Sequence, residues 1–290
     1  SGGKAGAYKD DAFARYLDAL LYADEGKKDD ARISMEAANE AYAAYAGDYG
    51  TPVPHFSFPE DAQRKNGELV FIHYNGVAPR KVSKTFQIAW GQALAIANSD
   101  DGSKDPRFAN GLRAGILGNS ITVSYPAYVQ DPFLIVNSEV SVDSGPATGT
   151  ILMSDISAIA TKNLADRVSL VKARSIARAM VKYVVAEAAS RAAAKACDQM
   201  PGGYLAIQAC KLGSRGLAHG AAAASESADT RAWSALPSQI RMARVKIPAG
   251  KHDIQVFFKS AAGAVVSSAS FKDVEIQRAK RTYLAHRTAI

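Results

Sequence analysis

The sequence contains few of the features that usually indicate an enzyme or a membrane-spanning segment. Its 290 residues include only two cysteines and five histidines. No run approaches the roughly 20 apolar residues that a helix needs to cross a bilayer. The nucleophile elbow GxSxG, the zinc motif HExxH, the phosphate-binding loop and the dinucleotide fingerprint do not occur in it. These absences argue against the commonest hydrolases, metalloproteases and nucleotide-binding enzymes, and we expect a protein without catalytic activity.

The two cysteines, Cys197 and Cys210, flank the turn-forming residues 200–203, Met-Pro-Gly-Gly. A helical hairpin would bring them close together, so the spacing fits either a disulfide or two buried free thiols. Neither cysteine has a second Cys or a His at metal-ligand spacing, and we expect no metal and no cofactor. The segment around residues 100–105 contains several aspartates but lacks the acid that a calcium loop carries at its twelfth position. It therefore predicts an exposed acidic loop.

Positive charge is concentrated in the second half of the chain. The formal net charge is +7 at pH 7. Residues 1–145 carry 14 Lys and Arg against 19 Asp and Glu, whereas residues 146–290 carry 21 against 9. Because the field around a protein follows its local excess of charge, a partner that binds electrostatically is expected to meet the second half.

One long segment of this half predicts a basic amphipathic helix. Between residues 166 and 196, seven Lys and Arg are accompanied by only two acids. At about 100° per residue, one side of the helix is apolar and the other carries a basic stripe. The stripe consists of Arg167, Arg174, Arg178 and Lys182. It fits either a solvated face of a core-packed helix or a contact with lipid headgroups, cell-wall polymer or an acidic protein patch.

Residues 1–50 predict a helical lead-in of two antiparallel helices that meet around Gly26. Small and large apolar residues are spaced along them in a way that resembles a tetratricopeptide repeat, in which small residues let the paired helices approach closely. One such unit cannot bury its apolar face alone. We therefore expect the lead-in to dock on the rest of the protein, and a longer array of repeats is the alternative.

Residues 51–290 predict a β-domain that a helical insertion, residues 151–227, interrupts. Strand-like segments lie on both sides of the insertion, among them a strand, a turn at Asn75-Gly76 and a second strand. His73 lies in an alternating run of the first strand and is expected to be structural. The whole predicts an α+β fold, with an antiparallel β-sandwich-like domain interrupted by the insertion and preceded by a tetratricopeptide-like helical hairpin.

After the basic helix, the insertion continues into a segment rich in Ala and Gly. Its sequence, GGYLAIQACKLGSRGLAHGAAAASES, predicts a second helix that packs closely on the first through small residues. It is too short and too interrupted for a membrane span, and His219 within it has no partner pattern. An interfacial hairpin that contacts a bilayer or another subunit is the alternative interpretation.

Three segments together resemble a family of poorly characterised bacterial envelope lipoproteins. They are the helical lead-in, the central ARSIARAMVKY and the segment DTRAWSALPSQIRMARVKIPAGKHDIQV. The most specific part is a DTRxWxxLPxxI pattern, with Asp229, Arg231, Trp233 and Pro237 as its structural positions. As a large aromatic residue, Trp233 is expected to be buried and to anchor the returning chain. The resemblance implies a periplasmic or outer-membrane-anchored protein with no assigned catalytic residues.

The expected function is a non-catalytic scaffold or binding protein of the cell envelope. Its partner would be an envelope protein or an anionic envelope surface, and a homo-oligomer stays open. Peripheral membrane association is expected if the full-length protein carries a lipid-bearing cysteine before the opening SGGKAG. Nucleic acid is not expected, because the basic residues do not interleave with exposed aromatics in a recognisable module. The alternative is a cell-envelope hydrolase whose site is assembled from residues distant in sequence.

Overall fold

The computed structural model describes residues 10–50, 52–54, 66–93 and 120–289. These residues form a mixed α+β protein whose sheets are open, so the expected α+β class is confirmed. The chain divides into two compact units. We call residues 1–79, 130–162 and 233–290 the first unit, and residues 80–129 and 163–232 the second unit.

Five helices and ten strands have their bounds within the described residues. The helices are α1 (Ala12–Asp24), α2 (Lys28–Tyr49), α3 (Ile156–Ala165), α4 (Val168–Cys197) and α5 (Tyr204–Ala224). The strands are β1 (Asn66–Asn75), β2 (Arg80–Ala89), β3 (Ser120–Val129), β4 (Asn137–Val142), β5 (Thr148–Gly149), β6 (Ile151–Asp155), β7 (Gln239–Pro248), β8 (Gly250–Lys259), β9 (Val265–Ile276) and β10 (Arg281–Thr288).

The first unit contains two four-stranded sheets, with the orders β10-β1-β7-β6 and β5-β4-β8-β9. Neighbouring strands are antiparallel except β1 and β10, which run parallel from Glu68 opposite Arg281 to Asn75 opposite Thr288. The expectation of a purely antiparallel arrangement is therefore wrong for this pair. Alternating residues predict that a segment is a strand, but the pairing of strands far apart in the chain depends on tertiary packing.

Strand β1 lies at the centre of the first unit, because both of its faces are buried. Leu69 and Phe71 belong to an apolar cluster that also contains residues of the second sheet. Val70 and Ile72 belong to another cluster, which contains residues of α1 and α2. Since side chains alternate between the two faces of a strand, burial on both faces explains why the sequence LVFI is a continuous apolar run.

A buried ion cluster joins α1 to the first sheet. Glu68 on β1 accepts hydrogen bonds from Arg244 Nε at 2.8 Å and from Arg281 Nε at 2.7 Å. Arg244 also donates to the hydroxyl oxygen of Tyr16 at 2.9 Å, and Arg281 pairs with Asp24 at the end of α1. The helical lead-in thus packs on a sheet of its own unit. These charges satisfy one another inside the unit.

The second unit combines a two-stranded ribbon with two helices. Strands β2 and β3 pair antiparallel from Arg80 opposite Val129 to Ala89 opposite Ser120. The apolar cluster of this unit contains residues of both strands and both helices, together with the start of a helical segment after β2: Trp90, Ala93, Ile121, Val123, Ile176, Ala179, Met180, Tyr183, Ala186 and Ala222. The helices are thereby held on one face of the ribbon.

These boundaries differ from those of the expected insertion, residues 151–227. Residues 151–155 form β6 of the first unit, and the second unit includes β2 and β3 in addition to the helices. The expected strand, turn and strand around Gly76 are present, but β1 and β2 belong to different sheets. Gly76 has a φ of +65°, which favours glycine, and a Cβ there would lie 3.0 Å from the ring of Phe133.

Candidate functional site

Helix α4 carries the predicted basic stripe. Its buried side includes Ala173, Ile176, Met180 and Tyr183, which follow helical spacing, and the last three belong to the apolar cluster of the second unit. The helix has no acid in its first turn and no side-chain cap at its start. All four stripe residues lie outside the cluster, but the structure separates them into two pairs with different surroundings: Arg178 with Lys182, and Arg167 with Arg174.

Arg178 and Lys182 are tied to one buried carboxylate of the same unit. Arg178 Nη2 donates to Glu226 Oε1 at 2.7 Å, and Lys182 Nζ lies 2.9 Å from Glu226 Oε2. The Glu226 side chain is 1% exposed. Arg178 also donates to the backbone oxygen of Ser124 on β3, and Lys182 donates to that of Ser225. This pair therefore holds the chain that follows α5 against the ribbon, and its charges are engaged within the unit.

Arg167 and Arg174, in contrast, form no such ion pair among the described residues. Both are exposed, and neither forms an ion pair with any residue in the part of the chain that the structure describes. Arg167 directly precedes α4 and Arg174 lies in its second turn, so both belong to the N-terminal end of the helix. Two free guanidinium groups thus mark the N-terminal end of α4 as a positive surface.

The charge of the whole second unit is strongly positive. Its sequence contains 16 Lys and Arg against 8 Asp and Glu, a net charge of +8, whereas the first unit has 19 against 20 and a net charge of −1. Lys84 and Lys195 are also exposed and have no ion pair among the described residues. The excess positive charge of the protein is therefore located on the second unit, and part of it is available to a partner.

A disulfide and an ion pair join α4 to α5. Cys197 and Cys210 are bonded to each other, which decides between the two arrangements that the sequence left open. Lys211 Nζ lies 2.6 Å from Asp198 Oδ1 at the same end of the hairpin. Helix α5 buries only Ala222 completely. Since few residues of α5 are buried, the disulfide adds a covalent link between the two helices at this end of the hairpin.

A cavity of about 430 Å³ opens beside α5. Its lining combines a hydroxyl, a ring, a guanidinium group and an apolar wall: Ser120, Tyr183, Leu212, Arg215, Gly216 and His219. The cavity lies wholly within the second unit. It is large enough for a small ligand, and polar groups from three chain segments converge on it.

Glu187 holds the imidazole that lines this cavity. His219 Nε2 lies 2.9 Å from Glu187 Oε2, and Arg191 Nε donates to Oε1 at 3.1 Å. Arg215 Nε is more distant, at 3.9 Å from Oε2. Burial raises the pKa of Glu187, but the hydrogen bonds from His219 and Arg191 outweigh burial, so its pKa lies below the usual value. The sequence pattern indicates no partner for His219, because Glu187 lies 32 residues away on the other helix.

The DTRxWxxLPxxI pattern lies mostly on the surface. Trp233 is 78% exposed, so the expectation that it is buried is wrong. Asp229 and Arg231 form a local, exposed ion pair at 2.8 Å, and the hydrogen bond from Arg231 lowers the pKa of Asp229. Pro237 is buried. Residues 229–236 are all exposed, which shows that a large aromatic residue does not by itself determine the burial of its segment.

His73 is fully buried in the first unit. Its Nδ1 lies 2.9 Å from Ser138 Oγ, and its Nε2 lies 2.8 Å from Thr288 Oγ1. Ser138 Oγ is in turn 2.9 Å from Thr150 Oγ1. Burial lowers the pKa of His73 to about 3, so the ring is neutral at physiological pH. Because His73 and Ser138 are both inaccessible to solvent, this arrangement is structural and cannot receive a substrate.

None of the helices in the described residues is both long enough and apolar enough to cross a membrane. Those residues also contain no group of His, Cys, Asp and Glu that could hold a metal ion. The acidic loop expected at 100–105 lies outside the described residues. No family model, curated protein or solved structure matches the chain. The resemblance to envelope lipoproteins therefore stays a prediction.

Proposed function

We propose that the protein is a non-catalytic binding or scaffold protein of the bacterial cell envelope, and that its second unit contacts an anionic partner. Arg167 and Arg174 make this contact, whereas Arg178 and Lys182 stabilise the unit through Glu226. The observation that carries the proposal is the exposure of two guanidinium groups without ion pairs on a unit of net charge +8. An excess of this size attracts anionic groups and accelerates their association.

A periplasmic location is part of the same proposal, with the full-length protein anchored to the outer membrane. The disulfide between Cys197 and Cys210 supports it, because disulfides persist in oxidising compartments such as the periplasm and are rare in the cytosol. The resemblance to envelope lipoproteins points to the same compartment. The anchor itself would be a lipid on a cysteine upstream of Ser1.

We further propose that the first unit is a β-sandwich-like platform with a tetratricopeptide-like hairpin. The shared apolar cluster of the two four-stranded sheets supports the first assignment. The complete burial of Ala19 on α1 and Ala38 on α2 supports the second, since small residues let paired helices approach closely. In this proposal the second unit carries the binding surface.

A double charge reversal tests the proposed contact. The variant Arg167→Glu/Arg174→Glu removes both exposed guanidinium groups from the surface and introduces two negative charges. We expect its affinity for a purified bacterial envelope fraction, measured by co-sedimentation, to fall at least about tenfold, since each charge near an anionic surface contributes about 1 kcal/mol. Its free energy of unfolding should stay within about 0.5 kcal/mol of the unaltered protein, because both side chains are exposed and neither forms an ion pair with a described residue.

The first unit offers a matched control. Lys251 and Arg278 are exposed there, and the variant Lys251→Glu/Arg278→Glu changes the net charge by the same amount. We expect this control to bind the envelope fraction as the unaltered protein does. Unchanged binding by the Arg167→Glu/Arg174→Glu variant would exclude the proposed surface. An equal loss in both variants would show that only net charge matters and would also exclude it.

A cell-envelope hydrolase is the second candidate function, and the cavity of the second unit favours it. Ser120 and His219 line the same cavity, and Glu187 orients the imidazole, which are the three residue types of a serine hydrolase. The test is turnover of nitrophenyl esters and of cell-wall fragments. Turnover that is lost in both Ser120→Ala and His219→Asn would favour the hydrolase. Absence of turnover, or turnover unaffected by either change, counts against it.

A further inference from the structure

The side of α5 that faces away from α4 is an exposed apolar face. At helical spacing it contains only Leu, Ala and Gly, and every member is exposed: Leu205, Ala206, Ala209, Leu212, Gly213, Gly216, Leu217 and Gly220. The three leucines are 82%, 75% and 77% exposed. The solvent side of a helix normally carries charged and polar residues, and a continuous apolar patch there indicates a contact surface.

The turn before α5 extends this apolar face. Met200 and Tyr204 are 51% and 74% exposed. The disulfide between Cys197 and Cys210 lies directly beside this turn and holds the two helices together where the apolar core is sparse. The end of the hairpin is therefore kept in shape by a covalent bond while its large apolar side chains lie in water.

Cations border the apolar face. The sequence of α5 contains no Asp or Glu. Its Arg215 is 55% exposed and lines the cavity together with Leu212 and Gly216 of the apolar face. Around Glu187 two guanidinium groups, those of Arg191 and Arg215, outnumber one carboxylate. The edge of the apolar face thus carries positive charge. In a helix that lies on a bilayer, this edge would be at the depth of the headgroups.

We infer that the hairpin formed by α4 and α5 docks on a bilayer of anionic phospholipid. Leu205, Leu212 and Leu217 contact the acyl chains, and Arg215 receives a headgroup phosphate at the mouth of the cavity. This inference rests on the proposed function, because it names the anionic partner. A second copy of the chain is a less suitable occupant, since two units of net charge +8 repel each other, whereas an anionic bilayer complements both the charge and the apolar face.

Vesicle binding tests this inference with the intact protein. We expect co-sedimentation with vesicles of mixed phosphatidylglycerol and phosphatidylcholine, and little with phosphatidylcholine alone. Replacing two exposed leucines, Leu205→Ser/Leu212→Ser, should weaken binding at least about tenfold, because two apolar side chains no longer leave water. The matched control Leu134→Ser/Val265→Ser changes residues of the first unit that are 60% and 55% exposed, and it should bind normally.

A fluorescence measurement reports insertion directly. In a Trp233→Phe background, Leu205→Trp places an indole on the apolar face, while the remaining Trp90 is buried. We expect its emission to shift to shorter wavelength with phosphatidylglycerol-containing vesicles and not with phosphatidylcholine vesicles. No shift together with no co-sedimentation would overturn the inference.

Three further outcomes would also overturn it. Equal vesicle binding by Leu205→Ser/Leu212→Ser would show that the apolar face takes no part. Self-association that this double variant abolishes would assign the face to a second copy. Competition by soluble glycerol phosphate, with no effect of the leucine changes, would assign the cavity to a small phosphate ligand. Binding to the envelope fraction through Arg167 and Arg174 without vesicle binding would leave the proposed function intact, whereas loss of both would end both proposals.

Discussion

The two units use their charged side chains in different ways. In the first unit, Glu68 binds two guanidinium groups, and the unit as a whole is almost neutral. In the second unit, Glu226 engages Arg178 and Lys182, but a net charge of +8 remains. A row of cations in a sequence therefore does not reveal which of its members form ion pairs inside the fold. A buried acid elsewhere in the chain makes that distinction.

The largest effect is expected where the interior of the second unit is broken. The variant Arg178→Met/Lys182→Met leaves the buried Glu226 carboxylate without its cations, which costs stability because an uncompensated buried charge is unfavourable. We expect the free energy of unfolding to fall by about 2–4 kcal/mol, which is less than the roughly 3–5 kcal/mol of a fully buried pair, since both cations are partly exposed. Urea unfolding followed by circular dichroism measures it.

The control for this prediction lies on the same helix. Arg167→Met/Arg174→Met removes the same number of cations from exposed positions that form no ion pair with a described residue, and it should change the free energy of unfolding by less than about 0.5 kcal/mol. Equal losses in the two double variants would remove the distinction between internal and external cations. Equal stability of both with the unaltered protein would show that Glu226 does not need its partners.

The next effect concerns pH and the interior of the first unit. Burial lowers the pKa of His73 from 6.5 to about 3 in the folded protein. Between these values the unfolded chain binds a proton that the folded protein does not, so stability falls as the pH drops from about 6.5 toward 3 and does not depend on this group above 6.5. At pH 5, about 1.5 pH units below 6.5, the loss from this group is about 2 kcal/mol. Urea midpoints measured across this range give the slope.

The variant His73→Gln isolates this contribution from that of the carboxylates. It cannot take up the proton, so its stability should depend less steeply on pH between about 6.5 and 3 than that of the unaltered protein. The informative quantity is the difference between the two slopes of unfolding free energy against pH, because the substitution also changes packing and thereby the stability itself. Identical slopes in the two proteins would show that the buried network around His73 does not exclude the charged imidazole.

The smallest effect is expected at Trp233. Because its side chain is mostly exposed, Trp233→Phe should change the free energy of unfolding by less than about 0.5 kcal/mol. The remaining Trp90 is 3% exposed, so the fluorescence emission should shift to shorter wavelength in the variant. A large loss of stability would mean that the indole is an anchor after all, as its sequence context suggested.

The sequence predicts local features of this fold well. Helical periodicity identifies the buried side of α4, because apolar residues that share a face must share an environment. The continuous apolar run Leu69–Ile72 also indicates a strand, and its burial on two faces explains the lack of alternation. The parallel pairing of β1 with β10 is not predictable in this way, since about 200 residues separate the partners and only tertiary packing selects them.

The candidate site is likewise only partly predictable from the sequence. The stripe of four cations follows from spacing along one helix, but Glu226 lies 48 residues beyond Arg178 and nothing local signals the pair. The same holds for Glu187 and His219, which come from facing helices. Cysteine spacing allowed the disulfide without deciding it. Spacing therefore predicts which residues share a face, whereas contacts between elements decide which of them remain free for a partner.

The most direct test of the central claim measures binding and stability on the same sample of Arg167→Glu/Arg174→Glu. We expect affinity for the bacterial envelope fraction to fall at least about tenfold while the free energy of unfolding stays within about 0.5 kcal/mol of the unaltered protein. Affinity that is unchanged, or that falls only as far as the protein unfolds, would contradict the claim that these two exposed cations of α4 contact an anionic partner.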